Sequence, residues 1–334
     1  MLTAGLALAL TLARAQTPAQ AQTPPQVQTP AARRDTPNTD ETVAVQRGTR
    51  LMVNNFAGEV IIRTWNKDQV HVVARHQPRM KVGIHNSGAI VGITAASMSG
   101  ASGSVDYEIT APAWMPIRTE GTYNFVTVEG SQAEVFANTV RGDVTIKGGT
   151  GSITAKSVEG EVQVDGARGK LTVSSVNHGI LITNTSGEIA ADSVNGAITM
   201  TAIDATSVDA STVNGTITYE GRIADNGHYS LETHNGDLLL GLPENVNATF
   251  TIRTYRGSFS TDFPLQGVGQ NELQRGRRVT TTLGTGSAEV SLETFGGAIR
   301  LRRGTAPTPR RHGGSQAAPS PRPSAIPAGD ATAQ

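Results

Sequence analysis

Two carboxylates, Asp143 and Glu161, stand eighteen residues apart in a chain of 334. If eighteen residues make one coil of stacked strands, the pair lies side by side, and like charges that close raise one pKa. Paired carboxylates can serve a polysaccharide lyase or hydrolase as acid and base or nucleophile. Both, however, follow a Gly at the start of an alternating run, and the residues one and two spacings further on, Gly179 and Ala197, are not acidic. The pattern therefore predicts an exposed, solvated pair.

Other chemistry finds less support. Calcium-binding nonapeptide rolls need Asp two positions after Gly in successive turns. Here Val144, Ile153, Val162 and Leu171 hold that position after Gly142, Gly151, Gly160 and Gly169, so the ligand column is apolar. The seven His residues show no metal spacing: His71 and His76 would point to opposite faces of a strand, and His85, His178, His228 and His234 lie in or near turns. No G-x-S-x-G elbow sits in a strand-to-helix context, and the glycines open strands rather than phosphate-cradling helices. Trp65, Trp114, Tyr123 and Phe125 offer a sugar-stacking platform in principle, although single aromatics in β proteins more often fill a core or cap. No catalytic, cofactor-binding or metal-ligating residue is assigned.

The elements that would position any such group are legible as repeats. Residues 139–219 fall into rows of eighteen: TVRGDVTIKGGTGSITAK, SVEGEVQVDGARGKLTVS, SVNHGILITNTSGEIAAD, SVNGAITMTAIDATSVDA, and STVNGTITY after a one-residue slip. Each row opens with Ser or Thr and Val, reaches a turn, then alternates apolar with polar. Val162, Val164, Leu171, Val173, Ile180 and Ile182 come in pairs two apart, which excludes a helix. A strand with one apolar face cannot bury that face alone, and stacking like coils buries them all. Residues eighteen apart should then lie ~4.8 Å apart.

The stacking makes columns. Val140, Val158, Val176 and Val194 read as core. Arg141, Glu159, Asn177 and Asn195, then Asn214 after the slip, form the next column, where Asn amides should hydrogen-bond up the stack beside glycines of positive φ, as at Asn195-Gly196, Asn214-Gly215 and Asn235-Gly236. Lys147 should meet Asp165, Lys170 should meet Glu188, and Arg141 should meet Glu159. After Tyr219 the period lengthens, with Gly215, Gly236 and Gly257 spaced twenty-one apart.

Composition narrows the classes. Net charge is zero, which removes the strongest argument for nucleic acid. Aromatics are 4% against 37 glycines, as thin coils cored by Val, Ile, Leu and Ala require. Cysteine is absent, so no disulfide, thiolate site or lipidated Cys exists.

Residues 1–15 have the apolar stretch and the Ala13-Arg14-Ala15 site of a signal peptide, truncated in that no basic n-region precedes it. Residues 16–42 read as a disordered Pro, Ala and Gln linker, 43–302 as the β-solenoid, and 303–334 as a disordered Pro, Ala and Arg tail. Residues 79–111 and the Ala111-Pro112-Ala113-Trp114-Met115-Pro116 break suggest irregular coils that cap the first edge, and 264–278 reads as a loop. No apolar segment in the tail could cross a membrane.

LMVNNFAGEVIIRTWNKDQVHVVA, YEITAPAWMPIRTEGTYNFVTVEG, the SVNG repeats and GSAEVSLETFGGAIRLRR resemble the bacterial β-strand-repeat family of unknown function labelled "putative adhesin", over residues 43–302. The resemblance implies an exported β-solenoid and carries no catalytic residues. Together these readings predict an all-β fold, a right-handed parallel β-helix of about ten coils, flanked by disordered ends. They predict an exported monomer in the periplasm or at the cell surface, structural or adhesive and without a cofactor, whose partner is an envelope protein or a glycan. Two alternatives remain open: a periplasmic scaffold or envelope-stress component that pairs with a protein at an open solenoid end, and the polysaccharide enzyme.

Overall fold

The computed structural model describes residues 39–98, 100, 103–264 and 278–304. The signal, most of the linker, the tail beyond Gly304 and most of the 264–278 loop lie outside the described residues, and Arg303, expected in the tail, ends the last strand. Residues 39–42, expected in the linker, are instead the start of β1 (Thr39–Ala44). The described residues fall within the unit 37–334 and form one sheet of 23 strands with no helix.

The chain continues through β2 (Arg50–Trp65), β3 (Gln69–His76), β4 (Met80–Asn86), β5 (Ile90–Ser97), β6 (Val105–Pro112) and β7 (Ile117–Glu129). Next come β8 (Val135–Arg141), β9 (Val144–Lys147), β10 (Thr150–Glu159), β11 (Val162–Asp165), β12 (Arg168–Ser175), β13 (Ile180–Thr183), β14 (Ser186–Ser193) and β15 (Ile198–Thr212). The last are β16 (Ile217–Gly221), β17 (His228–Thr233), β18 (Leu238–Leu242), β19 (Ala248–Thr254), β20 (Phe259–Thr261), β21 (Val279–Leu283), β22 (Ala288–Thr294) and β23 (Ile299–Arg303).

Each coil contributes two strands to two parallel stacks. One stack runs β5, the first half of β2, the first half of β7, β8, β10, β12, β14, the second half of β15, β17, β22 and β19. The other runs β6, the second halves of β2 and β7, β9, β11, β13, the first part of β15, β16, β18, β23 and β20. The register is the expected eighteen: Ile153 pairs with Leu171, Val162 with Ile180, and Lys170 with Glu188. The extra residue of the slip is at Thr206, where Gly187 pairs with Ala205 but Glu188 with Ser207.

Alternation sets the core. Ile153, Ala155, Val173, Ile189, Ala191 and Ala210 point inward from one stack and Val144, Ile146, Val162, Val164, Ile180 and Ile182 from the other, all essentially buried. Small and β-branched side chains predominate between the two walls of the regular coils, with Leu171 and Met200 the larger members. Where coils lengthen, rings fill the added space: Tyr219 and Tyr229 pack edge-on at 6.0 Å, and their hydroxyls donate to the carbonyls of Arg222 (2.7 Å) and Ala205 (2.6 Å).

Both ends break chain order. At the first end β5 and β6 stack outside β2, although they follow it in sequence, and β4 and β3 close them antiparallel. At the other end β22 and β23 slide between β17–β18 and β19–β20, and β21 runs antiparallel on β19. The sequential reading of Gly215, Gly236 and Gly257 is thereby corrected. Gly297 sits between the last two, since a Cβ on Gly297 would meet the Gly236 carbonyl oxygen at 1.8 Å and one on Gly257 would meet that of Gly297 at 1.6 Å.

These contacts also explain the glycines. Gly196, Gly215 and Gly236 were expected at positive φ, but none has it. They are required for space, because a Cβ on Gly215 would lie 2.0 Å from the Gly196 carbonyl oxygen. In this column only Gly58 and Gly142 have positive φ, at 122° and 119°, and it recurs regularly at the opposite corner, at Gly151, Gly169 and Gly187, with φ of 108°, 119° and 112°. Gly215→Ala should therefore cost about 3 kcal/mol, the upper end for one substitution. Gly148→Ala, where φ is +69° but nothing lies within 4 Å, should cost only about 1 to 2 kcal/mol. Urea unfolding would compare them, and equal losses would contradict the close-approach explanation.

Candidate functional site

The corner between the two strands of a coil begins at a Ser or Thr. Thr139, Ser157, Ser175, Ser193, Thr212, Thr233, Thr294 and Thr254 lie one over another and are buried. Each buried hydroxyl needs a partner. Ser157 donates to the Gly142 carbonyl (3.0 Å), Ser175 to Gly160 (3.0 Å), Thr212 to Gly196 (3.1 Å), Thr233 to Gly215 (2.8 Å) and Thr294 to Gly236 (3.0 Å). In return the amides of Gly196, Gly236 and Gly297 donate to the hydroxyls of Ser193, Thr233 and Thr294.

Because that position points inward, its successor points out. The valine column is thus surface, which corrects the reading of Val140, Val158, Val176 and Val194 as core. Val140, Val158, Val194 and Val213 are 40–44% exposed and Val176 half-buried. The column continues beyond the valines. His234 follows Val213, Phe295 stacks on His234 at 4.8 Å with planes 4° apart, and Tyr255 lies 5.3 Å beyond Phe295. At the other end Phe56, 46% exposed, packs edge-on against Tyr123 at 5.5 Å. An outward ridge of apolar side chains thus crosses ten layers, with Thr122 the polar member beside Phe56.

The next column is the asparagine ladder, and it stands as expected. Asn195 donates to the Asn177 side-chain oxygen (3.0 Å), Asn214 to that of Asn195 (2.8 Å) and Asn235 to that of Asn214 (2.8 Å). Arg141 and Glu159 occupy the same column and form an ion pair. On the other side of the inward hydroxyls, an outward polar column runs through Glu120, Asn138, Lys156, Ser174, Asp192, Ser211 and Glu232. Between ridge and polar column the surface is grooved. An open groove of about 480 Å³ is lined by Ser211 and Glu232 on one side, Val213 and His234 on the other, and Ser193 and Thr212 at its floor. Another, of about 490 Å³, has Asn54, Glu120 and Asn138 facing Phe56 and Thr122.

The other candidates disperse. Asp143 and Glu161 are exposed, and the Asp143 carboxylate accepts the Glu161 backbone amide at 2.8 Å, a structural bond that Asp237 repeats with Ala298. Trp65 and Trp114 gather at Asp68, with Trp114 donating to its carboxylate at 3.0 Å and Trp65 donating to the Gln69 carbonyl at 2.7 Å. Tyr123 and Phe125 lie at the opposite corner of the coil, so the four aromatics make no common platform. Lys147 pairs with Glu129 (2.9 Å) rather than Asp165. Asp165 instead accepts from Thr183 (2.7 Å) and Asn184 (2.8 Å), bonds that hold its carboxyl below the usual range, Asn184 contributing most. Its contribution is therefore complete at neutral pH and is lost only as pH falls below 3.8 toward the lowered value. Among the described residues no three of His, Cys, Asp and Glu are placed to hold a metal, and no helix is long and apolar enough to cross a membrane.

The ladder makes a measurable demand. Asn195 takes part in two side-chain bonds, Asn177 in one. Asn195→Ala should destabilise by about 1 to 2 kcal/mol, more than Asn177→Ala, since each such bond is worth about 1 kcal/mol. Chemical denaturation would check this, and equal effects would mean that the amides act independently.

No curated protein matches the chain. A crystal structure of "a putative cell adhesion protein" from Clostridium sporogenes ATCC 15579 is similar at 11% identity, over 79% of this chain and 99% of that one, with a TM-score of 0.22. Residues 49–302 match the family model described as Toastrack DUF4097, a domain of unknown function, and as that span is most of the chain, the protein belongs to the Toastrack DUF4097 family.

Proposed function

We propose that this chain is an exported, non-enzymatic β-solenoid that holds a cell-envelope or surface partner along its side. One observation carries the reading: an outward, mainly apolar ridge from Phe56 to Tyr255, with Thr122 its polar member, flanked by an amide ladder and a polar column. Exposed apolar patches of this continuity mark interaction surfaces. A rigid stack presents the same side chains in every layer, so many weak contacts add without ordering cost at each one.

The alternatives fit the geometry less well. An enzyme of this architecture needs a pair of carboxylates free to act in one groove, whereas Asp143 bonds a backbone amide outside it and, of the groove carboxylates, Glu120 pairs with Arg118, Glu293 pairs with Arg253 and Asp192 accepts from Ser211. A scaffold that pairs at an open end needs a long free edge, and the described ends carry the antiparallel strands β1 on β3, β4 on β5 and β21 on β19, with only the three-residue β20 bare of one. The coils we take as right-handed, the hand that parallel crossovers favour. Export rests on the apolar stretch at 1–15, and a periplasmic or surface location follows from it.

The test is retention of the purified full chain on cell-envelope fragments in a sedimentation assay. Retention is expected, with a loss of roughly tenfold in apparent affinity for Val140→Asp combined with Val213→Asp, because each charge would have to be desolvated against the partner. Failure of the unaltered protein to sediment with any envelope fraction would sink the adhesive reading.

A further inference from the structure

The surface between the apolar ridge and the polar column, hollowed into one groove beside Ser193 and His234 and another beside Asn54 and Asn138, has a definite chemistry. Strand amides and carbonyls point along the stack into neighbouring strands, so neither wall has a row of free backbone groups. An extended peptide would find no strand edge to join there. Its own amides, laid along valines, would lose water without gaining partners.

The side chains suit another class of ligand. Asn138, Lys156, Ser174, Asp192, Ser211 and Glu232 supply one donor or acceptor per layer, at a repeat of ~4.8 Å. Opposite the first five stands a valine of the ridge, and opposite Glu232 stands the ring of His234. A ligand that fits carries hydroxyls or amides along one side, aliphatic C–H along the other, and repeats at about the layer spacing. A linear chain of pyranose rings has this character. From Phe56 to Tyr255 the ridge spans about 43 Å, enough for an extended polymer rather than a small molecule.

Charge selects among such polymers. Near the groove Glu120 is paired with Arg118 at 2.6 Å and Glu293 with Arg253 at 3.5 Å, which leaves Asp192 and Glu232 against Lys156. The acidic excess repels uronates and sulfated sugars. The ring stack cannot serve as a set of faces, because His234 and Phe295 cover one another, so the ridge acts through edges and methyl groups. We propose that this surface binds a linear polysaccharide of uncharged sugars lying along the stack, perpendicular to the strands. This rests on the adhesive reading and gives its partner a chemical class.

The experiment is calorimetric titration of the full chain with cellohexaose, with chitohexaose and with hexagalacturonate. Binding of at least one neutral hexasaccharide is expected, together with little or no binding of hexagalacturonate. Val194→Asp, at a position 41% exposed and so compatible with folding, should weaken that binding by roughly tenfold. Gln163→Asp, outward on the other stack, should leave it unchanged, and circular dichroism would establish that both variants fold. The proposal is overturned if neither neutral hexasaccharide binds, if hexagalacturonate binds more tightly, or if Val194→Asp binds as the unaltered protein does. Retention on envelope fragments without hexasaccharide binding would defeat the glycan assignment and leave adhesion standing, whereas loss of both would defeat the two together.

Discussion

The bond from a buried hydroxyl to a glycine carbonyl in the neighbouring coil is the interaction on which the rest depends. A corner must turn the chain without leaving a polar group unpaired in the core. Ser or Thr does this by donating to the glycine below, as at Thr212, or accepting from the glycine three residues on in its own coil, as at Ser193, and Thr233 and Thr294 do both. The carbonyl can be reached only because the stacked glycines lack Cβ atoms. With the corner fixed, alternation in both directions decides every other side chain. The ridge is outward because the hydroxyl is inward.

That constraint also shapes the ends. A stack of parallel strands exposes a row of unpaired backbone groups at each terminus, an invitation to uncontrolled pairing. The chain meets it by leaving a place vacant and returning to fill it, with β5–β6 outside β2 at one end and β22–β23 inside β19–β20 at the other. Each return is coupled to an antiparallel strand. The tetrapeptide Ser-Leu-Glu-Thr occurs at 230–233 and at 291–294, and the two copies stack directly on each other. Likeness between layers, more than order in the chain, sets which coils become neighbours.

This explains what could be read from residues alone. The eighteen-residue register, the strand pairs and the asparagine ladder were legible because each repeats with the stack. The inward face was not, since Val at 140, 158 and 194 is the more apolar choice, whereas alternation from Ile153 and Ala155 puts Ser157 inside. Parity was the signal that could have found it. Positive φ at Gly196 was inferred from residue type, while the cause is a backbone that approaches too closely for a Cβ. The ring stack was hidden for another reason: His234, Phe295 and Tyr255 meet only after the last coil takes its place out of order. No window of sequence contains that contact.

The continuity of the ridge therefore rests on the position of β22–β23, and ring-proton nuclear Overhauser effects report it directly. The account predicts cross-peaks between His234 and Phe295 and between Phe295 and Tyr255, with no direct contact between His234 and Tyr255. A His234–Tyr255 cross-peak with Phe295 remote from both would show coils stacked in chain order, and would contradict the corner column on which the whole surface is built.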